Sequence, residues 1–188
     1  MHLRPWYWLL LGTLPALALA GVHKSVEHEH WTDAYDRYFR KYAKHYFGPH
    51  FDWRWFKAQG IAESGLDPKA ESPAGAKGIM QILPSTYAEI RRKNPFFADI
   101  SHPRWNIAAA IYYDRSLYRK WKKRELPTGQ RLPFALASYN AGLGNVLKAW
   151  RRAREQLGEV REWEQVAPFA PGETRHYVRR IRKLMKME

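Results

Sequence analysis

Apolar and aromatic residues recur every three or four positions along most of this 188-residue chain, and runs of β-branched residues are few. The pattern is strongest from Thr32 to Phe47, where Tyr, Phe and Ala repeat on one helical face before Gly48 and Pro49. An apolar content of 45% is ordinary for a globular chain of this length. The sequence therefore predicts one compact, all-α, predominantly helical domain.

One long stretch, between Glu63 and Pro84, interrupts the helical pattern. We expect a helix to end at Gly65, because glycine readily takes the left-handed conformation, and this leaves Glu63 in the last turn. A segment rich in Pro, Ala, Gly and Ser follows, and then a short apolar turn at residues 78–81. Such a loop buries little surface of its own, so we expect it to shape a cleft around Glu63. Apolar surroundings would raise the pKa of this carboxyl and suit it to general acid catalysis.

Residues 1–20 have the pattern of a secretory signal peptide. Arg4 precedes an apolar stretch that is short for a membrane span, and Ala18 and Ala20 form a small-x-small cleavage site before Gly21. We expect secretion to the periplasm or cell envelope, with an uncleaved membrane anchor as the alternative. The absence of cysteine means that the mature chain relies on its packed core rather than on disulfides.

The net charge of +14 favours anionic partners, which include nucleic acid, anionic lipid and a cell-wall polymer bearing carboxylates. Basic residues cluster at positions 120–124, 151–154 and 175–186. A signal peptide directs the chain away from nucleic acid, so no nucleic-acid partner is expected. The basic surface instead suits an anionic wall or association with a membrane surface.

Several short blocks, in order along the chain, resemble those of one enzyme family. They are Glu63-Ser64 with Ser72-Pro73, Gly75-Ala76 and Gly78-Ile79-Met80-Gln81; Asn106-Ile107; Ser138-Tyr139-Asn140-Ala141-Gly142; and Glu173-Thr174-Arg175-x-Tyr177-Val178. Together they are similar to the soluble lytic transglycosylase (SLT) domain of the lytic transglycosylases, which share a fold with goose-type lysozymes. The resemblance covers residues 53–186. Among the departures, Asp114 stands where the family commonly has Leu, which puts the packing of that helix in question.

The resemblance implies a lysozyme-like helical fold with a substrate cleft, and cleavage of the β-1,4 bond between N-acetylmuramic acid (MurNAc) and N-acetylglucosamine (GlcNAc) in peptidoglycan. Glu63 would act alone, first as acid and then as base, and the product would carry a 1,6-anhydroMurNAc end. No metal or cofactor is implied. The alternative is a goose-type lysozyme that hydrolyses the same bond. Asp67 is then the obvious acid to orient water, and Glu71 is less well placed.

The resemblance also assigns roles around the cleft. Ser72 is expected to bind substrate through its hydroxyl. Met80 and Gln81 are expected to form the wall beside the acid, Met80 with apolar surface and Gln81 with hydrogen bonds to the sugar. Tyr139 is expected to be the phenol nearest to Glu63 and the scissile bond.

Two further residues are expected to support the site. Asn140 would neighbour Tyr139, or else serve as a turn former. Glu173 would be a buried partner that anchors the last helix, or else a helix N-terminal acid stabilised by the macrodipole. The chain is thus divided into a signal peptide (1–20), a leader and aromatic helix packing on the core (21–52) and a catalytic domain (53–188). Its partners would be peptidoglycan strands and an envelope-spanning secretion, pilus or flagellar apparatus.

Overall fold

The structure, a computed structural model, describes Val26 and residues 30–124 and 126–186. Eight α-helices lie within these residues: α1 (Asp36–Phe47), α2 (Arg54–Ser64), α3 (Pro84–Lys93), α4 (Pro103–Lys122), α5 (Arg131–Ala141), α6 (Leu143–Leu157), α7 (Trp163–Val166) and α8 (Gly172–Leu184). Apart from short 3₁₀ turns at Thr128–Gln130 and Ala167–Phe169, the remainder is irregular, and its only β-type pairing is two isolated bridges in the loop after α2. The all-α prediction is confirmed.

Two helices, α2 and α5, form the centre of the molecule. Residues 56–61 of α2 and 132–138 of α5 are consecutive and all buried, as expected for helices surrounded by protein rather than facing solvent. α4 packs against α1 and α5, and α8 packs against both α2 and α5. The last helix of the described chain is therefore brought against the end of α2, more than one hundred residues away in sequence.

The aromatic helix α1 packs against α2 and α4. It begins at Asp36 rather than at Thr32, because the hydroxyl of Thr32 accepts a hydrogen bond from Ala34 N (3.2 Å) within a separate turn. Lys57 of α2 is almost fully buried and pairs with Asp36 (2.8 Å between Nζ and Oδ1). This ion pair joins α1 to the central helix.

The predicted signal peptide, residues 1–20, lies outside the described residues. In the part of the chain that the structure describes, no helix combines the length and the hydropathy needed to cross a bilayer.

Candidate active site

Glu63 lies in the last turn of α2, as the sequence predicts. The helix ends at Gly65, whose φ of 68° is left-handed and whose N–H bonds back to the helix carbonyls. Ser64 then links the helix end to the following loop: its hydroxyl donates to Ile79 O (2.9 Å) and accepts from Asp67 N (3.1 Å). These bonds join the end of the helix that carries Glu63 to the loop that follows it.

The loop after α2 is organised by Asn106, a buried residue in the first turns of α4. Its Oδ1 accepts from Met80 N (2.8 Å), and its Nδ2 donates to Lys77 O (2.9 Å) and Ile100 O (3.0 Å). Gly78, at φ 71°, lies directly against this amide, since a Cβ there would come within 2.8 Å of Asn106 Nδ2. Asn106 belongs to one of the sequence blocks quoted above, but nothing in the sequence shows its contact with the loop.

The carboxyl of Glu63 receives a hydrogen bond from α8. Tyr177 Oη donates to Glu63 Oε1 at 2.6 Å. Burial raises the pKa of Glu63 to about 7. The Tyr177 hydrogen bond lowers this pKa, the charge of Glu173 raises it, and the charge of Arg180 lowers it. A carboxyl in this state can hold its proton near neutral pH and can also release it.

α8 contacts the end of α2 at a second point as well. The guanidinium of Arg180 reaches Ile61 O, which also accepts from Gly65 N, and Ala62 O in the last turn of the helix, each at 3.4 Å. Tyr177 and Arg180 are three residues apart, hence on one face of α8. Tyr177 belongs to one of the quoted sequence blocks, which assigns it no role, and no sequence block points to Arg180. The helical spacing of both residues from Glu173 was the available signal.

A cleft of about 290 Å³ lies beside this centre. It is lined by Gln81, Ile82, Leu83, Thr86, Tyr113, Tyr139, Asn140, Ala141 and Gly142. Glu63 is not one of the lining residues. Tyr139 is one of them, and the charge of Glu63 acts on the Tyr139 phenol. Burial, with the charge of Glu63 adding to it, raises the pKa of Tyr139 well above its usual value, so this phenol stays protonated. Tyr139 Oη donates to Met80 O (2.8 Å), and the ring packs edge-on against Tyr113.

Gln81 lies at the wall of the cleft, and its expected hydrogen bonds to the sugar stay a prediction. It adopts a left-handed backbone conformation (φ 45°), and its Nε2 donates to Ala70 O (3.2 Å) and Gly78 O (2.9 Å). These bonds fix the side chain across the loop. Met80 differs from expectation: it is fully buried, and its sulfur packs against Gly60 of α2. The prediction that Met80 supplies apolar surface to the cleft is wrong, since its side chain instead supports the helix that carries Glu63.

Ser72 closes a tight turn. Its backbone N–H donates to Ala76 O (3.0 Å), and its Oγ accepts from Ala76 N (3.0 Å). The side chain is half-buried and is not part of the cleft lining described above. The acids considered for orienting water are both exposed: Asp67 accepts from Lys69 N (2.8 Å), and Glu71 pairs with Lys77 (3.4 Å).

Asn140 and Glu173 belong to the contact between α5 and α8. Asn140 Oδ1 accepts a hydrogen bond from Thr174 Oγ1 (2.8 Å) while the residue also lines the cleft, so it does more than form a turn. Glu173 is exposed in the first turn of α8, and the prediction of a buried partner is wrong. A carboxylate is favoured at a helix N-terminus without being buried. Its effect on the site is electrostatic, through the pKa of Glu63.

Comparison with known proteins gives the family of this chain. The family model described as "Transglycosylase SLT domain" matches residues 38–161. Proteins named membrane-bound lytic murein transglycosylase F are 33% identical over 73% of this chain in Shewanella pealeana and 32% identical over 85% of it in Marinobacter nauticus. Among the described residues there is no cluster of three or more His, Cys, Asp or Glu side chains that could hold a metal ion.

Solved structures show the same helical fold. The 70 kDa soluble lytic transglycosylase of Escherichia coli matches 82% of this chain with a TM-score of 0.64 and 25% identity. An inactive mutant of the lytic transglycosylase Slt of Pseudomonas aeruginosa, at 23% identity, superposes with a TM-score of 0.66.

The chain spans only part of each of these proteins: 26% and 30% of the two curated relatives and 24% of each of the two solved chains. The match is therefore to one domain of longer proteins. It runs through α2, the loop that follows it and α5, which hold Glu63 and most of the cleft. The chain belongs to the transglycosylase SLT domain family.

Proposed function

We propose that this protein is a peptidoglycan lytic transglycosylase that cleaves the MurNAc-β-1,4-GlcNAc bond without water and leaves a 1,6-anhydroMurNAc end. The observation that carries the proposal is the state of Glu63, whose pKa is raised to about 7 and whose Oε1 accepts the Tyr177 hydrogen bond at 2.6 Å. The names of its relatives, lytic murein transglycosylases, support the same substrate.

In the first step, protonated Glu63 gives its proton to the glycosidic oxygen, and the bond from the MurNAc anomeric carbon to that oxygen breaks. The GlcNAc end leaves as an alcohol, and the acetamido oxygen of the substrate stabilises the positive charge on the sugar. In the second step, ionised Glu63 removes the proton of the MurNAc 6-hydroxyl as that oxygen bonds to the anomeric carbon. Glu63 regains its proton, so one carboxyl completes the cycle, whereas most glycosidases use two.

Tyr177 supports both steps. Its hydroxyl donates a hydrogen bond to Glu63 Oε1, and this leaves Oε2 available for proton transfer. The same hydrogen bond strengthens when Glu63 becomes ionised, because bonds to charged acceptors are stronger. Burial raises the pKa of Tyr177 well above its usual value, so this phenol remains a donor throughout.

The cleft is proposed to hold the sugars. Gln81, Tyr139 and Asn140 would contact them, each with a side chain already fixed by at least one hydrogen bond to the protein. Ser72 would contribute a hydroxyl, since its Oγ accepts from Ala76 N and keeps its own proton to donate. Met80 would support the cleft indirectly, because its backbone oxygen accepts the Tyr139 hydrogen bond and its side chain packs on α2.

The test is digestion of purified peptidoglycan, with the masses of the released muropeptides recorded. We expect anhydro-muropeptides, lighter than hydrolysis products by one water. Reducing ends in their place would contradict the proposal and indicate the goose-type lysozyme reaction. Glu63→Gln should lower the rate at least 100-fold, whereas the exposed loop acid variant Glu71→Gln should retain it. Retained lysis in Glu63→Gln, with the fold intact by circular dichroism, would remove Glu63 from the mechanism.

The cell envelope is the proposed location, reached through the signal peptide at residues 1–20. Peptidoglycan strands would be its substrate, and an envelope-spanning secretion, pilus or flagellar apparatus its partner. The proposed units of the chain are a leader with α1 (21–52) and a catalytic domain (53–188), although the family match begins inside α1. Fractionation of cells producing the full chain, with the N-terminus determined by mass spectrometry, tests location and processing together.

A further inference from the structure

A second carboxyl, Asp114, lies in the core near Glu63 without reaching the cleft. It is in the middle of α4 and is fully buried. Its hydrogen-bond partner is Gln59 of α2, also fully buried, whose Nε2 donates to Asp114 Oδ1 at 3.5 Å. Gln59 precedes Glu63 by four residues, which is one helical turn.

Two atoms of this pair are left without a partner. Gln59 Oε1 and Asp114 Oδ2 are both buried, and neither has a hydrogen bond. If Asp114 were ionised, both atoms would be acceptors only, and a buried charge would have one long hydrogen bond for support. Such an arrangement is strongly unfavourable.

A single proton on Asp114 Oδ2 would give both of these atoms a hydrogen-bond partner. A protonated carboxyl has an O–H donor, and a carboxylic acid can pair with a primary amide through two reciprocal hydrogen bonds. Nε2–H of Gln59 donates to Oδ1, as the structure shows, and Oδ2–H of a protonated Asp114 would donate to Oε1. The pair then has no unsatisfied atom and no charge.

We propose that Asp114 is a positioning residue: it keeps a proton on Oδ2, pairs with Gln59 through two hydrogen bonds, and fixes the turn of α2 that carries Glu63. The pair joins α4, at the centre of the domain, to α2 one turn before the catalytic carboxyl. Its effect on the reaction rests on the proposed function, whereas the protonated pair itself does not.

The electrostatic surroundings agree with a neutral Asp114. Burial raises the pKa of Asp114 well above its usual value; the Gln59 hydrogen bond opposes this, and the charge of Glu63 adds to it. The charge of Asp114 also acts on Tyr113 of α4, Tyr139 of α5 and Tyr177 of α8, and none of these phenols supplies a positive charge. A neutral Asp114 also places no second negative charge beside Glu63 when Glu63 ionises.

The protonated pair can be tested without any substrate. Infrared spectra of Glu63→Gln at pH 8 should contain the carbonyl band of one protonated carboxylic acid, because exposed Asp and Glu are ionised there and Glu63 has been removed. The band should disappear in Glu63→Gln/Asp114→Asn. A spectrum of Glu63→Gln without such a band would overturn the proposal, whatever the activity of the protein.

The positioning role is tested by kcat and KM on purified peptidoglycan. Asp114→Leu should lower kcat about tenfold or more while KM stays within about twofold, since no substrate contact is removed. Asp114→Asn should recover most of kcat, because its amide replaces the O–H donor to Gln59 Oε1. Ser116→Ala, which loses only a bond to Tyr113 O within α4, is the matched control and should retain kcat.

The apolar double variant Gln59→Leu/Asp114→Leu separates positioning from stability. It leaves no unpaired polar atom, so thermal stability should return to the wild-type level even if Asp114→Leu alone folds poorly. We expect kcat to remain low, because the directional bonds are absent. Recovery of kcat together with stability would show that the pair is merely structural and would overturn the positioning role, as would wild-type kcat in Asp114→Leu.

Discussion

At the scale of single residues, the behaviour of Glu63 comes from two opposed effects. Burial disfavours the charged carboxylate, and the Tyr177 hydrogen bond favours it; burial is the larger, so the pKa rises to about 7. A much higher pKa would make the carboxyl a weak acid in the first step, and an ordinary one would leave it without a proton for that step and make it a weak base for the second. The intermediate value suits a single group that performs both.

Removing the Tyr177 hydroxyl should shift this balance. In Tyr177→Phe the pKa of Glu63 should rise, because the interaction that lowers it is lost, and the alkaline limb of kcat/KM should move to higher pH. We expect kcat at the optimum to fall about tenfold, since the ionised form loses a hydrogen bond. Tyr118→Phe, whose hydroxyl makes only an exposed contact with Thr128 O, is the control. If the alkaline limb of kcat/KM in Tyr177→Phe stayed in place or moved to lower pH, the Tyr177 hydrogen bond would not be lowering the pKa of Glu63.

The raised pKa also has a consequence for stability. Folded Glu63 keeps its proton to about pH 7, whereas in the unfolded chain it ionises near pH 4.5, so the native state binds more protons between these values. The free energy of unfolding should therefore fall as pH rises through this window, by about 3 kcal/mol from this group.

In Glu63→Gln this fall in the free energy of unfolding with rising pH is absent, because glutamine does not ionise. Its stability relative to the wild type should increase from pH 4 to pH 8, as measured by chemical denaturation at each pH. Glu71→Gln should show no comparable trend, because Glu71 is exposed in the loop. An equal effect of Glu63→Gln at both pH values would mean that the carboxyl is not desolvated.

At the scale of elements, the site is an assembly of helix ends and one loop. The end of α2 is held by α8 through Tyr177 and Arg180, and the loop is held by the side chain of Asn106. Asn106 supplies three hydrogen bonds to backbone groups. A loop rich in Pro, Ala and Gly needs such support, because it buries little apolar surface itself.

Asn106→Ala should consequently be strongly destabilising. Removing the side chain leaves Met80 N and two carbonyls without partners, which should cost about 3 kcal/mol of unfolding free energy. Asn145→Ala provides the comparison, since the exposed Asn145 amide bonds only to Ala141 O and its loss should cost less than about 0.5 kcal/mol. Thermal denaturation of the two variants measures the difference. Equal stabilities would show that the loop does not depend on Asn106.

The sequence predicts those features of the elements that depend on neighbouring residues in the chain. The end of α2 at Gly65 and the start of α3 at Pro84 follow from backbone preferences of single residues, and both are found where expected. The inward direction of Met80 and the exposure of Glu173 do not follow, because they depend on how loop and helix pack on distant parts of the chain. Periodicity gives the face of a helix but not the direction of a loop side chain.

At the scale of the whole molecule, the sequence predicts the helical architecture well because apolar spacing is set within each helix. It does not predict which helices meet. The contact of α8 with α2, which brings Tyr177 to Glu63, joins residues more than one hundred positions apart. The pairing of Asp114 with Gln59 is similarly invisible, since a charged residue in an apolar helical pattern usually indicates an exposed position rather than a protonated one.

The net charge of +14 is also a property of the whole molecule, and it should govern binding to the cell wall. Exposed basic residues of α6 include Arg151 and Arg152, and those of α8 include Arg175 and Arg179. Peptidoglycan carries carboxylates on its peptide stems, so attraction between the two should be screened by salt. Glu63→Gln, which should not digest the wall, allows binding to be measured by sedimentation with purified sacculi.

We expect the bound fraction of Glu63→Gln to fall steeply as NaCl rises from about 0.05 M to about 0.5 M, because the Debye length shortens over this range. Adding Arg151→Gln and Arg152→Gln should flatten the salt dependence without changing binding to an uncharged chito-oligosaccharide, whose proposed contacts lie in the cleft. If salt left sacculus binding unchanged, or weakened binding of the uncharged sugar equally, the basic surface would have no part in wall recognition. Binding would then depend on the cleft alone.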